Sequence, residues 1–193
     1  MRDYRNFYFS GIIGVVFLIT AGYSQTTITI TPQESQDAFK NPLKGFRGGE
    51  FGSLKKDYIK WTDLENNVSD GVQKIRDVCN NRWKNYPAGN SKIIPRVYLQ
   101  YGGSYWPADM TTGDYTSQQF QDRLIRLVSR LGEVWDNDPR VAYVEMGIFG
   151  NWGEQESPRP TPAIQKIAGD AFTVAFKNKL VMVRHTWDMF QTF

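Results

Sequence analysis

Cysteine and histidine are nearly absent from the sequence, which has one of each, Cys79 and His185, among 193 residues. A single cysteine cannot form an internal disulfide, and no CxxC or HExxH segment indicates a zinc site. No GxGxxG or P-loop segment follows a predicted strand, so nothing in the sequence indicates a cradle for nucleotide phosphates. We therefore expect no metal and no cofactor, and we expect Cys79 to be a buried helix residue.

The excess of positive charge is also small. The formal net charge is +3 and no long basic run occurs, so nucleic acid is not an expected partner. Aromatic residues, in contrast, are frequent, with six Trp and ten Tyr. Such side chains stack on apolar faces and also form hydrogen bonds, which suits a sugar-binding cleft. An aromatic-rich core is the alternative interpretation.

The N-terminal segment 1–24 has the order of a secretory signal peptide. Arg2 and Arg5 precede an uncharged apolar run at 11–21, and small residues follow it. The run is shorter than the roughly 20 apolar residues of a transmembrane helix; an uncleaved N-terminal anchor is the alternative. We expect an exported protein, periplasmic, at the cell surface or extracellular, with no membrane span after signal removal.

Beyond a predicted linker at 25–40, residues 41–193 form one predicted domain. Strands and helices alternate in it, which indicates a parallel sheet with right-handed crossovers. The strands are predicted at YIKWTDLE, IIPRVYLQY, the segment that begins VAYVEMG, and LVMVRHTW, with a further first strand at GFRGGEF. Ser69, Thr116 and Thr161 are the predicted helix N-caps, and Pro162 follows the last of them.

The two longest loops, 102–115 and 150–160, both follow strands and precede helices. Parallel α/β folds place ligands at this end of their strands. A complete eight-stranded barrel takes about 250 residues. We therefore predict an α/β fold that is part of a parallel (β/α) barrel, a partial TIM barrel of about five strands. A small, complete open sheet is the alternative.

Two carboxylates lie in or after the predicted strand that begins VAYVEMG. Glu145 shares a strand face with Tyr143 and Gly147 because side chains alternate along a strand, and Arg96 on the preceding strand is its expected partner. Glu145 is therefore a candidate catalytic residue, with a structural buried ion pair as the alternative. Glu154 follows the strand, beside Trp152 and Gly153. We predict Glu154 as the catalytic carboxylate, with a solvated loop residue as the alternative.

The segments KGFRGGEF, YIKWTDLE, IIPRVYLQYGG and VAYVEMGIFGNWGEQ, in this order, resemble the N-terminal half of secreted (β/α)8 glycoside hydrolase-like proteins of the broad clan-A type. VEMGIFGNWGE is also similar to the acid-bearing strand of β-amylases. The resemblance implies that Glu154 is the general acid/base, although Gly153 stands where clan members usually have Asn. It also places the nucleophile on strand seven, which this chain does not reach. Asp63, Asp109 and Asp114 are substitutes for it, with turn-forming Asp as the preferred interpretation.

Further side chains at predicted strand ends are candidate substrate-binding groups. For Trp106, packing under the long loop is the alternative, and for His185 a structural role is equally plausible. The set is Arg47, Arg96, Tyr101, Trp106, Trp152, His185 and Trp187.

These features predict an exported glycoside hydrolase-like domain that acts on or binds an oligo- or polysaccharide. The alternatives are a non-catalytic carbohydrate-binding or surface protein, and an inactive truncated fragment.

Overall fold

The computed structural model describes residues 28–31, 54–86 and 92–185. Residues 28–31 belong to one compact unit and the later ranges to another. Residues 28–31 form neither helix nor strand, and Ile28 and Ile30 are exposed. The predicted signal peptide and the predicted strand at GFRGGEF lie outside the described residues.

The larger unit alternates strands and helices along the chain, as predicted. Its elements are β1 (Leu54–Lys60), α1 (Trp61–Leu64), α2 (Val72–Arg82), β2 (Lys92–Gln100), α3 (Gln118–Trp135), β3 (Val144–Asn151), α4 (Pro162–Ala175) and β4 (Val181–Met182).

The four strands form one parallel sheet in the order β1-β2-β3-β4. The predicted parallel α/β class is therefore confirmed. Strand β2 is buried along nearly its whole length, as expected of a central parallel strand covered on both faces. The apolar stripe of α3, which includes Phe120, Leu124 and Leu127, is buried in the core. All carboxyl ends of the strands consequently lie at one edge of the sheet.

Strand β1 lies earlier than the strand predicted at YIKWTDLE. It begins at Leu54 and ends at Lys60, and WTDL is a helical turn. Trp61 and Leu64 are both fully buried, and a helical spacing of three places both side chains on one face. Packing of these two side chains therefore decides the local structure.

Two of the three predicted N-caps also differ. Gly71, not Ser69, precedes α2, and the side chain of Ser117, not Thr116, accepts a hydrogen bond from Phe120 N at the start of α3. At α4 the prediction is confirmed, because Thr161 Oγ1 accepts from Ile164 N (3.4 Å).

Cys79 is buried on α2, as predicted, and Trp135 Nε1 donates to its Sγ (3.2 Å). Burial raises the pKa of this thiol to about 11, so it is an unreactive core residue. Across the described residues, no helix is both long enough and apolar enough to cross a membrane.

Candidate active site

Side chains of three neighbouring strands converge on one face of the sheet. Arg96 of β2 is in register with Tyr58 of β1 and with Glu145 of β3. The adjacent β1 position on this face is Lys56, two residues before Tyr58, because side chains alternate along a strand. The sheet register therefore brings charges from distant parts of the sequence together.

Arg96 is the centre of this group, and its side chain is fully buried. Its Nη2 contacts Glu145 Oε1. Its Nη1 donates to Glu154 Oε1 (3.2 Å) and to the carbonyl oxygen of Trp152 (3.3 Å). One guanidinium thus joins the two carboxylates that the sequence singled out.

Gly147 makes room for this arrangement. A Cβ at this position would lie 2.5 Å from Arg96 Cγ and 2.2 Å from the carbonyl oxygen of Val97. Both distances are below van der Waals contact, so only glycine lets the arginine stem cross β3 here.

Burial lowers the pKa of the Arg96 guanidinium, and Tyr58 and Glu154 oppose this shift. Arginine nevertheless keeps its proton in proteins, so the buried charge requires carboxylate partners. The ring centroid of Tyr58 lies 5.1 Å from Arg96 Cζ, within range of a cation–π contact.

Glu145 is buried on this face of the sheet. Its side chain is 7% exposed, and Lys56 Nζ contacts Oε2 at 2.6 Å while Arg96 contacts Oε1. Both oxygens therefore face cations, which is the geometry of the alternative interpretation, a buried ion pair. A catalytic role for Glu145 stays a prediction.

Glu154 is more accessible, with a side chain 24% exposed. Its Oε1 contacts Arg96, and Arg184 Nη2 approaches Oε2 at 3.4 Å. Arg184 follows β4 and its side chain is 41% exposed. The carboxylate thus lies between a buried and an exposed guanidinium, at the carboxyl end of β3.

The loop that carries Glu154 has an unusual backbone. Trp152, Gly153 and Gln155 all have positive φ values, of 58°, 65° and 64°. A Cβ on Gly153 would lie 2.7 Å from the carbonyl oxygen of Val97. Residues held in such conformations concentrate at functional sites. Glycine at position 153 permits both the positive φ and the close approach of this loop to the backbone of Val97.

Gln155 anchors the loop, although the sequence did not single it out. It is 5% exposed. Its Nε2 donates to the carbonyl oxygen of Met146 (2.6 Å), and its Oε1 accepts from Arg184 N (3.3 Å). Gln155 therefore fixes the Glu154 loop to β3 and to the segment that carries Arg184. In the sequence, only its position directly after Glu154 indicated this role.

Aromatic rings pack on Trp152, which lies two residues before Glu154 in the sequence. The rings of Trp152 and Tyr101 stack with centroids 3.7 Å apart, and Tyr101 is 48% exposed. Tyr58 and Tyr98 pack around Trp152 with centroids at 5.5 Å and 6.1 Å. Trp152 is thus held in place, with an exposed tyrosine ring stacked on it.

The other predicted ligand-binding residues that the structure describes are Trp106 and His185. Trp106 is 6% exposed and stacks on Tyr115, which matches packing under the long loop. His185 Nε2 lies 3.0 Å from Glu156 Oε1, next to the Glu154 loop. Arg47 and Trp187 lie outside the described residues.

Two of the three substitute carboxylates have structural partners, and Asp63 lies in the first turn of α1. Asp114 Oδ1 accepts from the N–H groups of Thr116 and Ser117 and so forms a turn, and Asp109 contacts Arg123. Within the part of the chain that the structure describes, no group of three His, Cys, Asp or Glu side chains could hold a metal ion.

Lys56 and Tyr58 were missing from the predicted site. Lys56 lies ahead of the predicted strand boundary, and Tyr58 was read only as the start of a strand. A strand boundary four residues earlier would have placed Lys56, Tyr58 and Lys60 on one face, since every second residue shares a face.

No family model and no curated protein sequence matches the chain. Among solved structures, the chain is similar to an exo-beta-1,4-mannosidase from Opitutaceae bacterium strain TAV5, with a TM-score of 0.52 and 11% identity. The match covers 69% of this chain and 25% of the mannosidase chain. At this identity the likeness concerns the fold: the described parallel sheet has the architecture of part of a (β/α)8 barrel.

Proposed function

We propose that the chain is a glycoside hydrolase-like barrel domain of an exported protein, which binds a carbohydrate at the carboxyl ends of β2 and β3. Glu154 is its general acid/base. The observation that carries this proposal is a partly exposed Glu154 two residues after Trp152, whose ring stacks on the exposed Tyr101. The signal-like segment 1–24 supports the exported location.

The chemistry fits this arrangement. A sugar ring presents C–H groups that pack on an aromatic face, and its hydroxyl groups bind to nearby polar side chains. Glycoside hydrolysis then requires one carboxyl group to protonate the leaving oxygen and a second to act as base or nucleophile. Glu145 faces Lys56 and Arg96 with both oxygens, so we place the second carboxylate outside the described residues.

The fold likeness indicates which ligands to test first. The similar structure is an exo-beta-1,4-mannosidase, so a carbohydrate is the substrate class to test first. The sugar and the linkage need direct screening, because the likeness concerns the fold.

A specific observation favours a second candidate function, non-catalytic carbohydrate binding. Each oxygen of Glu154 contacts a guanidinium, Oε1 that of Arg96 and Oε2 that of Arg184. A general acid must carry a proton and present it to the leaving group, whereas this arrangement suits a carboxylate that holds two arginines in place.

Hydrolysis and binding assays on the full chain separate the two candidates. Aryl glycosides and β-linked oligosaccharides are screened with wild type, Glu154→Gln and the control Glu133→Gln, which alters an exposed glutamate of α3 that also pairs with an arginine. If Glu154 is the acid/base, its variant hydrolyses at least about 100-fold more slowly while binding is retained.

Tyr101→Ala tests the binding face. Loss of the exposed ring should weaken oligosaccharide binding about three- to tenfold. Binding without hydrolysis in wild type would leave the carbohydrate-binding function and remove the enzymatic one. Absence of both binding and hydrolysis across the screen would contradict the proposed function.

A further inference from the structure

Among the described side chains of the candidate site, three cations contact two carboxylates. Lys56, Arg96 and Arg184 share Glu145 and Glu154 between them. Lys60 is a further cation, with its Nζ 4.3 Å from the centroid of Tyr105. A cation of such a group that is open to solvent can attract a ligand that brings negative charge.

The two arginines differ in accessibility. Arg96 is fully buried and holds the carboxylates, whereas the side chain of Arg184 is 41% exposed. A guanidinium has five N–H donors, more than the single Glu154 oxygen that Arg184 contacts can accept. Arg184 is therefore the cation of this group that a ligand can reach.

The position of Arg184 is fixed from two sides. Its backbone N–H donates to the buried Gln155 side chain, which in turn donates to β3. Its side chain contacts Glu154, in the loop that also carries Trp152. An exposed guanidinium held against the loop that carries Trp152 can pair with an acidic group of a sugar whose ring lies on an aromatic face.

We propose that the site takes an acidic carbohydrate, one with a uronate carboxylate, and that Arg184 recognises this carboxylate while the exposed ring of Tyr101, stacked on Trp152, faces the sugar ring. This inference rests on the proposed function, because it names the substrate class of the same site. The planar carboxylate matches the guanidinium fork in a way that neutral hydroxyl groups do not.

The test compares each acidic oligosaccharide with its own methyl ester. Oligomers of galacturonate, mannuronate and glucuronate are titrated calorimetrically into the full chain at low and high NaCl concentration. The ester keeps the sugar and the linkage but loses the charge. We expect at least one acidic oligomer to bind about tenfold or more tightly than its ester, and we expect salt to weaken this binding.

Three variants locate the effect. Arg184→Gln should reduce the affinity for the acidic oligomer to that of the ester, and Arg184→Lys should keep part of the preference because it retains the charge without the fork. Arg76→Gln is the matched control, since Arg76 on α2 is 39% exposed and also paired with a glutamate, Glu133. It should leave both affinities unchanged.

The outcomes also separate this inference from the proposed function. Equal binding of acid and ester, or of neutral oligosaccharides alone, would overturn the acidic-sugar inference and leave carbohydrate binding standing. An acid preference that Arg184→Gln does not change would overturn the role of Arg184. No binding of any sugar would overturn both the inference and the proposed function.

Discussion

Gly147 shows how a single missing side chain sets the geometry of the site. A Cβ there would lie 2.2 Å from the carbonyl oxygen of Val97 and 2.5 Å from Arg96 Cγ. The first of these atoms is backbone, so the sheet itself must shift. We predict that Gly147→Ser lowers the free energy of unfolding by about 1–3 kcal/mol, measured by urea denaturation.

Gly71→Ser is the matched control for this prediction. A Cβ at Gly71 would meet no atom within 4 Å, and the residue is the N-cap of α2. Serine is a preferred N-cap residue, so this variant should be as stable as wild type or slightly more stable. Equal loss of stability in both variants would contradict the packing argument for Gly147.

At the scale of elements, Asp136 connects the end of α3 to the segment that leads into β4. Its Oδ1 accepts from the backbone N–H groups of Lys177, Asn178 and Lys179 at 2.9–3.1 Å. Burial acts to raise the pKa of Asp136, but these N–H groups outweigh burial, and the pKa lies below its ordinary value. The charged carboxylate is therefore the form that holds this connection.

A pH-dependent prediction follows from the direction of this shift. A carboxyl group whose pKa is lower in the folded chain stabilises the fold above the unfolded pKa of about 3.9. This contribution is lost as the pH falls through the folded pKa. We expect Asp136→Asn to lower the free energy of unfolding by about 1–2 kcal/mol at neutral pH. The difference from wild type should shrink as the pH falls below about 4.

Urea denaturation across a pH series measures this difference. Asp170→Asn is the control, because Asp170 is 63% exposed on α4 and pairs only with Lys166 among the ion pairs that the structure describes. Such a surface pair contributes little, so its removal should change stability by less than about 0.5 kcal/mol. A pH-independent difference for Asp136→Asn would show that its charge is not the stabilising factor.

Strand β3 shows where sequence patterns stop being informative. The strand was predicted to begin at Val141, but β3 runs from Val144 to Asn151. Its register with β2 shifts twice, and Ile148 has a φ of 77°. Period-two alternation fails across such a bulge, so the sequence predicted the face of Glu145 but not the direction of the segment that follows it.

For the whole molecule, local signals predicted the alternating elements and the pairing of Arg96 with Glu145. Neighbouring parallel strands bring together side chains that lie on the same face of the sheet, and a sequence pattern can indicate which residues these are. The partners of Glu154 and Glu65 are different, because these carboxylates lie outside the strands and no strand register predicts what they contact. Arg184 lies after β4 and Glu154 lies in the loop after β3, and only the folded chain shows that the two meet.

Glu65 is the strongest of these long-range connections. It follows α1 and is fully buried, and three arginines of α3 contact it: Arg123 (3.5 Å), Arg126 (3.3 Å) and Arg130. The carboxylate thus joins the end of the first β/α segment to the long central helix. Without its charge, the three guanidinium groups would lose the carboxylate that they share, while Arg123 would keep its contact with Asp109.

We predict that Glu65→Gln lowers the free energy of unfolding by about 3–5 kcal/mol, because it leaves buried charge uncompensated. This is a large part of the roughly 5–15 kcal/mol that stabilises a typical domain. If this variant does not fold, Arg126→Gln provides a milder test, since it leaves two arginines on Glu65 and should cost about 1–2 kcal/mol. Arg76→Gln, which removes an exposed pair, should cost less than about 1 kcal/mol in the same urea experiment. A loss of stability in Glu65→Gln no larger than in Arg76→Gln would show that Glu65 does not hold the first β/α segment to α3.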